Sequence, residues 1–183
     1  MYNEANRQAL KSIAQSSIQH GLTHPSPLRI EPNDYSPELT EIKASFVTLK
    51  IKNNLRGCIG TLEAHRPLLV DVAHNAAAAA FKDPRFPAVT ATEYNQLQYH
   101  ISILSVPQKM NVDSEEDLYT QLQPGKDGIV LIDGHYRSTF LPSVWESLTT
   151  PKSFIHQLKL KAGLDAIYWS DSIHFERYEV EEF

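Results

Sequence analysis

A chain of 183 residues is long enough to bury a core as one domain, or as a large domain with a smaller companion. Its single cysteine leaves no partner for an intramolecular disulfide, which excludes a secreted disulfide scaffold. The 17 basic residues are outnumbered by 22 acidic ones for a net charge of -5, and they are scattered rather than striped, unlike the concentrated positive footprint of a nucleic-acid binder. Met1-Tyr2-Asn3-Glu4-Ala5-Asn6-Arg7 has no apolar leader, and no apolar run approaches the roughly 18 residues of a membrane span, so a cytoplasmic chain away from the membrane is expected.

Apolar residues at Ala5, Ala9/Leu10, Ile13/Ala14 and Ile18 recur at helical spacing and predict a helix over Asn3 to His20, stopped by Gly21. Thr23 to Pro37 then holds prolines at 25, 27, 32 and 37, each fixing φ and removing a donor, so an extended strap or a hinge is expected. Ala44 to Ile51 and Leu55 to Leu62 are β-rich and flank Asn53-Asn54, two residues that tolerate positive φ, which predicts a hairpin. With those asparagines as the loop, Leu49 faces Cys58, Val47 faces Gly60 and Ile51 faces Arg56, so that Cys58 shares a face with aliphatic side chains.

Pro67 opens a helix that runs to Ala80, and the Ala76 to Ala80 run makes it flat enough for another backbone to come close. Asp83-Pro84-Arg85-Phe86-Pro87 follows as a stiff turn. Gln98 to Val106 alternates as a strand, and Asp113 to Leu122 reads as a short helix with Asp113 and Glu116 as its capping pair. A second hairpin turns at Asp133-Gly134 between Gly128–Ile132 and His135–Phe140. A short helix over Pro142–Leu148, a longer one over Pro151–Ala162, and strands over Ala166–Ser170 and Ile173–Val180 complete the chain. Hairpins interleaved with helices, and no βαβ run, predict an α+β fold with a largely antiparallel sheet flanked by helices.

Leu55-Arg56-Gly57-Cys58-Ile59-Gly60 concentrates chemistry, since it brackets the lone thiol with two of seven glycines and sets an arginine two residues before it. As a catalytic residue, Cys58 needs a cation or a histidine to favour its thiolate. Arg56 is placed to supply the cation, with His65 and His74 as candidate bases and Glu63 as an orienting carboxylate, an acid or a ligand contact. Gly57 and Gly60 would let a substrate approach the strand, and their N–H groups could serve an oxyanion. The opposite reading makes Cys58 a small packed hydrophobe. Asp83 and Arg85 read either as a salt-bridged turn or as an anion clamp. His65, His74 and Glu63 lack the ligand spacing of a zinc site, so no metal site is assigned, and no cofactor is identified. The six-residue motif lacks the GK[ST] end of a phosphate loop.

Phe46-Val47-Thr48-Leu49 running into Leu55 to Gly60, then Asp83-Pro84-Arg85-Phe86, resembles the domain family named after the AMME syndrome chromosomal region (AMMECR-type domains). Its bacterial and archaeal members are called AmmeMemoRadiSam system protein A. Ile101 to Ser105, Pro124-Gly125-Lys126-Asp127-Gly128, Phe140 to Val144 and Lys161-Ala162-Gly163-Leu164 continue the resemblance in order along nearly the whole chain. It implies a single AMMECR-type domain over 1–183 with a larger lobe, a smaller lobe and a groove between them near the cysteine motif. It also singles out Arg56, Gly57, Cys58, Gly60, Asp83 and Arg85. Memo-type and radical-SAM proteins are the partners it implies, in a shared pathway acting on a small molecule. Members often carry Leu-Cys before the Lys-Ala-Gly-Leu segment, whereas Leu158-Lys159-Leu160 stands here, which argues against a two-cysteine redox pair. Two functions are carried forward. One is a Cys58-dependent activity on a small substrate, and the other is a non-catalytic adaptor that docks a partner protein.

Overall fold

The computed structural model describes residues 1–183. The chain divides into two compact units, Met1–Leu104 with Glu181–Phe183, and Ser105–Val180. Each has its own antiparallel four-stranded sheet and its own apolar core, so the fold is α+β. No helix is long and apolar enough to cross a membrane.

In the first unit, helix α1 (Glu4–Gly21) starts where the Asn3 side chain accepts from the Asn6 N–H at 2.9 Å. It buries Leu10, Ile13, Ala14 and Ile18 along one stripe. The proline segment continues as a strap, interrupted by a 3₁₀ turn over Pro32–Asp34, to the single-turn helix α2 (Pro37–Thr40), and it is fastened where Ser36 Oγ donates to Asn6 Oδ1 at 3.0 Å and where Leu39 is buried. Strands β1 (Ser45–Ile51) and β2 (Asn54–Gly60) form the hairpin. Helix α3 (Leu68–Phe81) then crosses the inner face of the sheet, and α4 (Ala91–Tyr94) begins with a Thr90/Glu93 capping box. Strand β3 (Gln98–Leu104) pairs antiparallel with β1. The C-terminal strand β8 (Val180–Glu182) completes the order β2-β1-β3-β8.

Alternation decides which side chains meet the helices. Val47 and Leu49 of β1 and Ile101 and Ile103 of β3 are buried with α1 and α3, and the residues between them face outward. Asp71 of α3 fastens the helix to the start of β1. Its buried carboxylate accepts from the Ser45 N–H (2.9 Å), Ser45 Oγ (2.6 Å), Asn75 Nδ2 (2.9 Å) and Thr61 Oγ1 (3.1 Å), and it pairs with Arg66 Nε at 2.9 Å.

The hairpin register corrects the expectation from sequence. Positive φ falls on Lys52 (50°) and Asn53 (65°), one residue earlier than the Asn53-Asn54 loop. Ile51 pairs with Asn54 and Lys50 with Leu55, and a bulge then leaves Arg56 without a cross-strand partner, so that Leu49 faces Gly57 and Thr48 faces Cys58. The early turn and the extra residue together shift the motif by one position, and a shift of one exchanges the two faces. Cys58 is therefore on the outer face with Thr48, not among Val47 and Leu49.

In the second unit, β5 (Gly128–Asp133), β6 (Tyr136–Phe140), β7 (His174–Tyr178) and the two-residue β4 (Gln108–Lys109) form the sheet in the order β4-β7-β5-β6. Its core centres on Phe154 of α6 (Pro151–Lys161), whose ring stacks on Trp145 at 3.9 Å and meets Phe140 edge-on at 5.3 Å. The short helix expected after Pro142 is a 3₁₀ segment over Pro142–Glu146. Ser114, not Asp113, caps α5 (Glu115–Gln121) by accepting from the Asp117 N–H. No strand forms over Ala166–Ser170. The Asp133 carboxylate at the hairpin tip instead accepts from Tyr168 (2.8 Å), Ser170 (2.7 Å) and Ser172 (2.6 Å), which folds that segment into a loop.

Candidate functional site

Cys58 lies on the edge strand of the first sheet, and its backbone turns away from β1. Its N–H donates to Asp83 Oδ2 at 2.9 Å, and its carbonyl accepts from Arg85 Nη2 at 3.2 Å. Facing Thr48 without backbone bonds between them, it forms the closer kind of antiparallel pair, with Cα atoms about 4.5 Å apart. The Cys58 Sγ and Thr48 Oγ1 are 3.2 Å apart as a result. Thr48 in turn faces His100 on β3. A thiol, a hydroxyl and an imidazole thus stand in a row across three strands on the face opposite the helices, with the thiol half-buried and the imidazole exposed. Partial burial and the ammonium groups of Lys50 and Lys11 push the His100 imidazole below its usual value, against the opposing pull of Glu182. This favours the neutral ring, which can accept a proton.

The charged residues of the motif and of the turn are engaged within the fold. Arg56 grips Glu93 with Nε at 2.8 Å and Nη2 at 3.2 Å, and the Phe86 ring lies 6.0 Å from its Cζ. The Arg56 guanidinium and the Thr90 N–H hold the Glu93 carboxyl down at about 2. Asp83, almost fully buried, is chelated by Arg85 through Nε (2.9 Å) and Nη2 (2.7 Å). These bonds, with those from the Cys58 and Arg85 N–H groups, hold its carboxyl well below the usual carboxylate range. Of the two turn readings, the geometry is that of the salt-bridged turn, closed on the Cys58 backbone.

The two glycines admit parts of the protein itself. A Cβ on Gly57 would lie 2.1 Å from the Ala79 carbonyl oxygen of α3, and one on Gly60 would lie 2.2 Å from the Phe46 ring. His65 is in the exposed loop between β2 and α3, where its Nδ1 is 2.9 Å from the Glu63 carbonyl oxygen rather than at the thiol. His74 is exposed on α3, and no group of three or more His, Cys, Asp or Glu side chains converges in a metal-binding arrangement.

Thr48, Glu93 and His100 are the residues that sequence reasoning missed. Glu93 was recoverable from the Thr90-to-Glu93 capping-box spacing. The outward position of His100 follows from strand alternation, but its place beside Thr48 depends on a register between strands distant in sequence, which no local signal writes.

Both low carboxyl values carry a pH dependence. A carboxylate whose folded value is depressed adds stability that is complete above the ordinary value near 4 and is lost as pH falls through the folded one. Stability should therefore decline as pH is lowered from about 5 towards 2, with the Asp83 share lost last. Denaturant unfolding at stepped pH should show a shallower acid decline in Asp83→Asn and Glu93→Gln; an unchanged slope in both would refute the assignment.

Two α+β units, each a four-stranded antiparallel sheet with its own core, and a glycine-flanked cysteine locked by an Asp-Pro-Arg turn define the class. Comparison with known proteins then gives the family. The AMMECR1 family model matches residues 11–183, and the chain belongs to that family. A Thermotoga maritima protein is 38% identical over 158 residues, covering 84% of this chain and 86% of the relative. A Methanothermobacter thermautotrophicus protein is 33% identical over 162 residues, covering 86% and 82%. The crystal structure of the uncharacterized protein PH0010 from Pyrococcus horikoshii superposes with a TM-score of 0.80 at 29% identity, over 94% of this chain and 88% of that one.

Proposed function

We propose that this protein handles a small substrate at the outer face of its first sheet, with Cys58 as the reactive group. The observation that carries the reading is the 3.2 Å contact between Cys58 Sγ and Thr48 Oγ1, on a half-buried face that also bears the neutral-leaning His100. A thiol becomes nucleophilic by giving up its proton. His100 is two strand spacings from Cys58, about 10 Å between Cα atoms. Its route to the thiol is therefore through the Thr48 hydroxyl or a water, not by direct contact. The substrate belongs to a cytoplasmic pathway shared with Memo-type and radical-SAM proteins, as the family resemblance implies.

The test is alkylation of the native protein by iodoacetamide across a pH series. Cys58 should be modified without denaturant, and His100→Gln should move the pH midpoint of the reaction. Modification only after unfolding would sink the reading.

One observation favours a second reading, a non-catalytic adaptor. The charges of Arg56, Asp83 and Arg85 are each paired inside the fold, so the motif serves packing well. An adaptor should form a stoichiometric complex with a co-expressed Memo-type protein, and Cys58→Ser should leave that complex intact. Absence of a complex counts against it.

A further inference from the structure

A cavity of about 570 Å³ opens within the first unit on the side of α3 away from the cysteine. Ala79 of α3 meets Gly57 of β2, whereas Ala73, Ala77 and Phe81 form the cavity floor. Pro27, Leu28 and Ile30 of the strap roof it. The volume is that of a small-molecule site, and the interior is mostly apolar, as such sites are. The flat alanine run explains the space, because side chains that end at Cβ leave room between helix and strap.

The charge of the lining is one-sided. In a chain with five more acidic than basic groups, no Asp or Glu lines the cavity, while Arg29, Arg66 and Lys82 do, together with His24 and His74. Two of these cations are compensated nearby, Arg29 by Glu31 at 2.8 Å and Arg66 by buried Asp71 at 2.9 Å. Lys82 and His74 have no carboxylate within ion-pair distance. Lys82 is thus the one uncompensated cation of the rim, which suits a single negative charge better than a multiply charged phosphate.

We propose that this cavity binds a monoanionic amphiphile, an apolar chain or ring ending in one carboxylate. The apolar body lies between the alanine face of α3 and the strap, and the carboxylate sits at the rim beside Lys82. The site is separate from Cys58 and stands or falls independently of it.

Titration calorimetry of the full chain with decanoate, decanol and decylammonium, each below its aggregation threshold, tests the assignment. Decanoate should bind saturably at one site per chain, about tenfold tighter than decanol, and decylammonium should bind more weakly still. Lys82→Glu should weaken decanoate by about tenfold and leave decanol unchanged, and added salt should narrow the gap between the two. Ala77→Trp, which fills the floor, should abolish binding of both. Amide shift mapping of the unaltered protein covers the case in which that variant does not fold, since decanoate should perturb the strap and the His74 to Phe81 face and not β5 to β7. No saturable decanoate binding, equal binding of all three probes, or shifts confined elsewhere would overturn the proposal.

Discussion

Gly57→Ala should destabilise the first unit by about 3 kcal/mol or more, a fall of about 10 °C in its unfolding midpoint. The new methyl would lie 2.1 Å from the Ala79 carbonyl oxygen, and the obstacle is helix backbone rather than a side chain that can swing aside. Either α3 retreats from the sheet, opening gaps beneath Leu49 and Ala76, or β2 leaves its register. Cys58→Ala, one residue along, should cost less than about 1 kcal/mol, because it removes only a half-buried sulfur and its weak contact with Thr48. The pair of variants reads out the register directly. With Cys58 opposite Leu49 the thiol would face the helices and the order of the two effects would reverse, so a larger loss for Cys58→Ala would refute the pairing described here.

Asp71→Ala should cost about 3–5 kcal/mol, the range for leaving a buried charge and its donors without a partner. The Ser45 N–H and hydroxyl and the Asn75 amide are all buried and all donate to this carboxylate, and Arg66 pairs with it from the side. These groups form one network, so their losses do not add. In the Asp71→Ala background, a further Arg66→Ala change should cost well under its effect in the unaltered chain. Denaturant unfolding of the two single variants and the double variant closes the cycle. Additive losses, or a single loss under about 1 kcal/mol for Asp71→Ala, would show that the network is not cooperative.

The elements with strong local signals were legible in the sequence. The α1 stripe, the α3 alanine run bounded by Pro67, the two hairpins and the α+β class all follow from periodicity and turn chemistry. Failures came where a distant group decides a local choice. Asn53-Asn54 is a good turn pair, yet the turn falls on Lys52-Asn53 because Gly57 must face Ala79, and the bulge at Arg56 makes up the difference. Ala166 to Ser170 has strand character, but Asp133, far away in sequence, folds it into a loop. The candidate site was legible as a set of residues and not as an arrangement. Cys58, Asp83 and Arg85 do come together, yet the partner of Arg56 is Glu93, and the imidazole in line with the thiol is His100 rather than His65. Asp71 gave no warning either, since a lone acid near a helix start reads as a dipole partner, not as a buried hub.

The bonds from Asp83 and Arg85 to the Cys58 backbone also bear on how this protein meets others. An edge strand with free N–H and C=O groups invites a further strand, whether from a peptide ligand or from a second chain on the way to aggregation. At Cys58 the carboxylate takes the place of the carbonyl that an incoming strand would bring, and the guanidinium takes the place of its N–H. Two side chains thus close the middle of this edge with the same donor and acceptor complement as a neighbouring strand. A partner that recognises the cysteine motif must therefore do so from above the sheet, through side chains, and not by extending the sheet sideways.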